Sequence, residues 1–399
     1  MMKQSILSFL LMLPVAIFSQ ESKNSVSVYP SHNAQVDPVL LNNNVALYAQ
    51  GVTSLQMNSG SASTLGTVPS RVRLGLAIDG PHSLSMRIRM AAASGGHQLG
   101  TNGQMVPINE IGVDRSINDT VNTTSDKTLS TNNNLRDAAM IDEALLFYGI
   151  NKDLDLIIGV ADLRTFDRTG RGFTDNPVVL DETGGFFSTH FLRQNAFLSL
   201  EQQHFRSIGA LLVSYDITKW LNLRAGLTAG KASFHVTIRN TGILELTSTQ
   251  SIIPGKLTHL QVGVGAVDAD ESTVHRLAAN GHASLSQEVF DSFYVFAGYS
   301  IVGDPVVAQF FGPAHYHYKG GLAMAFNGRD PAKAKYFAGI GFSQVKAYAF
   351  AEKETYSELF FRINLNENVN ITPQFGYMLN ANGSSDTIML LGIRMNARI

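Results

Sequence analysis

Between Glu354 and Ile399 the chain alternates apolar and polar residues with little interruption. Leu359, Phe361, Ile363 and Leu365 take every second position, with Glu358, Arg362 and Asn364 between them. A period of two is that of an extended strand with one apolar face. After Asn366-Glu367-Asn368 the pattern resumes, setting Val369, Ile371, Phe375, Tyr377 and Leu379 against Asn370, Thr372, Gln374 and Gly376. Beyond Asn382-Gly383-Ser384, Thr387, Met389, Leu391, Ile393, Met395, Ala397 and Ile399 stand against Arg394, Asn396 and Arg398. Consecutive strands of roughly 10 to 12 residues match those that cross a bilayer at a tilt. A strand at the end of the chain is the one expected to close a ring.

A second hairpin is equally regular. Val72, Leu74, Leu76 and Ile78 oppose Arg71, Arg73, Gly75 and Ala77; after Asp79-Gly80-Pro81-His82, Leu84, Met86, Ile88 and Met90 oppose Ser85, Arg87 and Arg89. Arg71, Arg73, Arg87 and Arg89 therefore share the face opposite the apolar stripe. If that stripe meets lipid the arginines line a lumen, because a lipid-facing arginine near the bilayer midplane costs about 2–4 kcal/mol. On a soluble sheet the same four would be the solvated face. Ala144 to Val160 reads as a hairpin turning at Asn151-Lys152-Asp153, and Ile208 to Tyr215 with Trp220 to Thr228 as another. Trp220 and Tyr215 suit an aromatic girdle at a membrane interface. Further strands are expected over 233–238, 257–267, 281–288, 292–301, 314–326 and 335–349. The total comes to roughly 14 to 18, within the range of outer-membrane barrels.

The first residues differ in kind. Lys3 precedes the apolar run Ile6 to Phe18, with small residues at Ala16 and Ser19, which is the layout of a secretory signal over residues 1–19. Residues 20–70 are polar and rich in Asn and Ser, apart from a mixed run at Val45 to Val52, and are expected to be an N-terminal extension with low packing. The barrel is expected over residues 71–399. Composition agrees: 16% charged residues, 44% hydrophobic residues and 35 glycines fit strands that hide their apolar face by alternation. A formal net charge of −2 gives no nucleic-acid surface, and the absence of cysteine excludes disulfides and thiolate metal sites.

The terminal stretch also carries a resemblance. Tyr356-Ser357-Glu358-Leu359-Phe360-Phe361-Arg362-Ile363 and Val369-Asn370-Ile371-Thr372-Pro373-Gln374-Phe375-Gly376-Tyr377-Met378-Leu379-Asn380 resemble the closing signature of the carbohydrate-selective porin (OprB) family, E-x-x-Y-R followed by V-x-L-T-P-x-x-Q-Y-x-x-N. Gly320-Gly321-Leu322 through Asn327-Gly328-Arg329, then Gly339-Ile340-Gly341-Phe342-Ser343, resemble its G-L-x-x-x-G-x-x-P-G-R and G-L-G-x-A run. Ile399 departs from the terminal Phe of such porins. The resemblance implies a transmembrane antiparallel all-β barrel of 16 strands in the bacterial outer membrane, delivered there by the assembly machinery through its C-terminal strand, monomeric or trimeric, passing small sugars.

Within that family a strand with a G-K-x-D-x-x-D-F-like ending leads into a loop that folds into the lumen. Gly159, Asp162, Phe166 and Asp167 stand in those places, and the segment from Thr169 to Gln194 resembles the loop. Asp162, Arg164, Asp167, Arg168 and Arg171 supply hydrogen-bond donors and acceptors for a constriction, while Phe166, Phe173, Phe186 and Phe187 offer planes on which a pyranose can stack. The plain alternative is a surface loop with ordinary turn charges. His97 to Asn134 reads as a second long loop. His315 and His317 share one strand face, but a metal site needs a third ligand and none is in view. No GxSxG, HExxH or P-loop motif occurs. The reading is a non-enzymatic porin without cofactor or metal; the runners-up are a general or anion-leaning porin and an outer-membrane barrel hydrolase.

Overall fold

In the computed structural model the chain forms a single antiparallel sheet closed on itself. The structure describes residues 39–42, 44–60, 64–67, 70–79, 84–94, 138–161, 185–186, 208–231, 236–271, 274–303, 316–331, 333–346, 351–380, 385 and 387–398. The signal segment lies outside them.

The strands are β1 (Val39–Asn42), β2 (Val45–Gly60), β3 (Thr64–Thr67), β4 (Ser70–Asp79), β5 (Leu84–Ser94), β6 (Ala138–Gly149), β7 (Leu154–Ala161), β8 (Ile208–Thr218), β9 (Leu221–Lys231), β10 (Val236–Ser248), β11 (Thr258–Glu271), β12 (Val274–Phe290), β13 (Phe293–Val302), β14 (Tyr316–Phe326), β15 (Tyr336–Lys346), β16 (Glu354–Asn364), β17 (Val369–Leu379) and β18 (Thr387–Arg398). From β4 onward each pairs with the next in sequence, and β18 returns to pair with β2 from Gln50 to Gly60. β3 and β4 both pair with β2, at Gln56–Ser59 and Val45–Thr53, and so share one place in the ring. That makes sixteen strand places. The short β1 pairs with Val45–Leu47 of β2, on the edge that β18 has left after Arg398.

One boundary is corrected. Val45–Gly60 belongs to the barrel rather than to an extension ending at residue 70, because it is the strand that receives β18. β10 likewise runs to Ser248, well past the expected 233–238.

Tight turns connect strands at the end where β18 finishes: 150–153, 219–220, 291–292 and 365–368. Asparagine carboxamides hold two of them. Asn151 Oδ1 accepts the Asp153 N–H at 2.8 Å, and Asn366 Oδ1 accepts those of Asn368 at 2.9 Å and Val369 at 2.8 Å. At the opposite end lie the long intervals 95–137 and 162–207.

The polarity of the wall is inverted relative to a soluble protein. Leu74, Leu227, Val264, Leu277, Leu359 and Leu391 point outward and are between 57% and 71% exposed except Leu359 at 51%. Arg224, Glu245, Gln261, Glu358, Arg362, Arg394 and Asn396 point inward and are buried. Leaving an aliphatic side chain in water forgoes roughly 1.5–3 kcal/mol, so an outer band of this kind requires hydrocarbon around it. Aromatic residues mark both edges of the band. Tyr148, Tyr215, Trp220, Phe290 and Phe326 stand exposed near the tight turns, and Tyr299, Phe342 and Tyr377 toward the other end. Tyr215 and Trp220 stand exposed beside the 219–220 turn, the place expected of girdle residues. This is a transmembrane barrel.

Below the wall, Arg329 of the 327–335 turn ties three connections together. Its Nε donates to Glu288 Oε1 at 2.8 Å and its terminal nitrogen to the Gly255 carbonyl, while Glu288 also accepts the N–H groups of Leu257 at 2.9 Å and Ser292 at 3.0 Å.

Candidate functional site in the barrel interior

Alternation fixes which side chains reach the interior, and register decides which of them meet. On β4 and β5, Arg73, Arg87 and Arg89 are inward and 4–8% exposed, whereas Val72, Leu74 and Met90 face out. Within the hairpin their partners are small, Ala91 opposite Arg73, Ala77 opposite Arg87 and Gly75 opposite Arg89, while the flanking strands place Gln50 opposite Arg73, Leu145 opposite Arg87 and Glu143 opposite Arg89. The guanidinium of Arg87 lies 5.3 Å from the ring centroid of the buried Phe147 on β6. Arg71 shares the strand parity of Arg73; its side chain lies outside the described residues.

A second polar wall crosses β8 to β12. Ser214 pairs with Arg224, Arg224 with Glu245, Glu245 with Gly263, and Gly263 with His282. Arg224 Nη1 lies 3.4 Å from Glu245 Oε1, and His282 Nε2 lies 2.8 Å from Glu245 Oε2, with all three side chains buried. Gly263 makes this reach possible, because a Cβ there would sit 2.1 Å from His282 Cε1. Arg224 Nε also donates to Asn222 Oδ1 at 2.9 Å, and Asn222 donates to Asp216 at 2.7 Å. Opposite charges brought into contact in this way give a wall rich in hydrogen-bonding groups but low in net field. The single-sequence signal was present as polar positions alternating with Leu223, Leu244, Leu246 and Val262, yet the partnership depends on registers that a sequence does not display.

The third part of the interior is apolar. Tyr294 and Phe296 on β13, Phe337 on β15, Tyr356 and Phe360 on β16, Met378 on β17 and Ile388 on β18 form one buried cluster with Ala323, Ala325 and Ala334. Gly321 and Gly339 supply the floor under two of the rings, at which an added Cβ would come within 2.7 Å of Phe296 and 2.5 Å of Phe360. Into this cluster comes Phe186, from the interval between β7 and β8. It is fully buried, edge-on to Phe360 (centroids 4.8 Å, 74°) and to Phe296 (5.3 Å, 63°). Arg394 of β18 donates to the carbonyl of the preceding Gly185 at 2.6 Å. Gly185 and Phe186, the described residues between β7 and β8, therefore lie inside the barrel, where an in-folded loop is expected.

This corrects one expectation. Phe186 was expected to present a plane to a sugar, but its ring is enclosed by aromatic neighbours and acts as an anchor. Asp162, Arg164, Phe166, Asp167, Arg168, Arg171, Phe173 and Phe187 lie outside the described residues. His317 is buried on the inner face with Nε2 2.8 Å from Ser343 Oγ, and His315 lies outside the described residues. Among the described residues no group of three potential metal ligands comes together.

No family model matches the chain, and no curated protein matches it. Solved structures do. The high-pH structure of Pseudomonas putida OprB superimposes with a TM-score of 0.65 at 12% identity, over 89% of this chain and 94% of that one. Pseudomonas aeruginosa OpdL gives a TM-score of 0.52 at 9% identity, over 89% and 98%. A mutant of the Rh. blastica porin gives 0.51 at 12% identity, over 88% and 99%. With sixteen strand places, polarity inverted and a chain segment anchored inside the ring, this protein has the fold of the porins and resembles OprB among them.

Proposed function

We propose that the chain is an outer-membrane porin that lets small hydrophilic solutes diffuse passively, with carbohydrates the favoured class. The observation that carries this reading is the inverted polarity of a closed ring, with aliphatic side chains outward and charged ones inward. Such a wall has a use only where hydrocarbon lies outside and polar solute within. A neutral sugar is not drawn by net field, and the wall from Asn222 to His282 pairs its charges internally rather than presenting one sign to the interior. The likeness to OprB and the terminal motifs favour the same class. We assign Arg71, Arg73, Arg87 and Arg89 to the pore lining. Asp162, Arg164, Asp167, Arg168 and Arg171 are assigned to a constriction, with Phe166, Phe173 and Phe187 as stacking planes. Residues 1–19 act as the export signal, and β18 as the strand read by the assembly machinery.

The inward arginines of β4 and β5 support a second reading, an anion-leaning general porin. Single-channel recording in planar bilayers, with and without maltodextrins, separates the two. Ohmic current blocked by sugar is the expected result; anion selectivity without block supports the second reading, and absence of current refutes both.

A further inference from the structure

We propose that the outer surface of β13 to β18 holds a specific lipid site, in which a phosphate-bearing headgroup of the leaflet on the long-loop side is bound and one acyl chain lies in a groove below it. The inference rests on the barrel's lying in a membrane and is independent of what passes through it.

Above the apolar band, outward side chains change character over a small area. Tyr299, Tyr318, Gln344 and Thr355 are successive partners in one cross-strand row, and Tyr316 and Lys346 are partners in the next. The tyrosines stack, Tyr316 on Tyr318 with centroids 5.8 Å apart at 7°, and Tyr318 on Tyr299 at 6.5 Å and 19°. Tyr318 donates its hydroxyl hydrogen to Gln344, whose amide nitrogen donates to Thr355 Oγ1 at 3.1 Å. Lys353, exposed in the turn before β16, lies with Nζ 5.7 Å from the Tyr316 ring centroid, and Lys346 donates to the Ala351 carbonyl at 2.9 Å. The hydrogen bond to Tyr316 raises the pKa of Lys353, keeping it a cation. Glu352 is the carboxylate of the same turn, and Glu354 turns inward and is buried. Two lysines fixed beside three parallel phenol rings, on the lipid-facing side of the barrel, suit a headgroup that combines phosphate with a flat polar body such as a sugar.

The second observation lies lower on the same surface. A groove of about 670 Å³ runs between Leu55, Leu359, Phe361, Pro373, Phe375 and Leu391, almost wholly apolar. β16 connects it to the patch, since Thr355, Ser357, Leu359 and Phe361 follow one another on its outward face. From Thr355 to Leu359 is about 13 Å along the strand, so a chain hanging from a headgroup at the lysines passes into the groove. Its occupant is therefore an acyl chain attached to the bound headgroup.

The test uses native mass spectrometry of the detergent-purified full-length barrel, titrated with dimyristoyl phosphatidic acid or with dimyristoyl phosphatidylcholine. Wild type should retain phosphatidic acid preferentially. Replacing both lysines (K346Q with K353Q) should weaken that retention by roughly thirtyfold, about fivefold for each surface cation, without changing retention of the zwitterionic lipid. Filling the groove with Leu391→Trp should weaken both lipids. Inorganic phosphate, which has no chain, should displace neither. Equal retention of the two lipids by wild type, an unchanged lysine variant, or displacement by phosphate alone would each overturn the proposal. Channel current in the lysine variant should equal that of wild type, which keeps this test separate from that of pore function.

Discussion

The ring of Phe186 stands edge-on to that of Phe360, although one belongs to the interval after β7 and the other to the inner face of β16. The contact lies against the inner face of the wall. With the bond from Arg394 to the Gly185 carbonyl, it is what holds this part of the chain against the wall. Removing a buried phenylalanine ring typically costs about 3–5 kcal/mol. Phe186→Ala should therefore lower the thermal unfolding midpoint in detergent and raise single-channel conductance as the anchored segment is released. Conductance at the wild-type value would show that this segment does not narrow the path.

The Gly263 position makes a separate prediction about the polar wall. A methyl group at this position falls on the imidazole of His282, so Gly263→Ala should swing the ring away from Glu245. A buried carboxylate that loses one partner costs about 1–3 kcal/mol. The expected readout is a lower unfolding midpoint together with altered ion selectivity; His282→Ala alone should reproduce the selectivity change, and a difference between the two variants would place the effect elsewhere.

The arginine row is tested by charge reversal. Arg73, Arg87 and Arg89 replaced by Glu should move the reversal potential in a salt gradient toward cation selectivity. Insertion into bilayers should be unaffected, because the outward residues of β4 and β5 are untouched. Loss of insertion would mean that these arginines have a structural rather than an electrostatic role.

For the assigned constriction, Asp167→Ala combined with Arg168→Ala should raise conductance and weaken block by maltodextrins. A charged hydrogen bond is worth about 1.5–3 kcal/mol, so wild-type sugar binding is expected in the millimolar range, roughly −4 kcal/mol. If block and conductance both match wild type, the narrow point lies on another segment.

Arg329→Ala checks the tie between the tight turns. Its guanidinium is half exposed while the Glu288 carboxylate is buried, so the loss is that of one partner of a buried anion, discounted for solvent. A lower midpoint in a urea titration is expected, with conductance unchanged.

Much of this architecture was legible from period-two alternation. The hairpin of β4 and β5, and the last three strands, have uninterrupted apolar stripes, and their outward and inward faces are as the pattern required. β2 was not legible, because Gln50-Gly51-Val52-Thr53-Ser54 interrupts its alternation and its two halves serve different neighbours. Strand identity is a local property, whereas the meeting of Arg224, Glu245 and His282 follows from three registers at once. Phe186 shows a further limit. A Gly-Gly-Phe-Phe segment announces exposed or packed rings equally well, and only the glycine-floored cluster on β13 to β16 decides between them.

The joint between β2 and β18 sets an order of events for assembly. Every other join in the ring links strands that are near in sequence, but this one couples the first full strand to the last. Until β18 arrives, the sheet keeps two open edges, each a ladder of unpaired N–H and C=O groups that invites pairing with another chain. In hydrocarbon each unpaired group is also costly. Closure by a contact of this sequence separation is slow, so the growing sheet must be shielded at both margins until its ends meet.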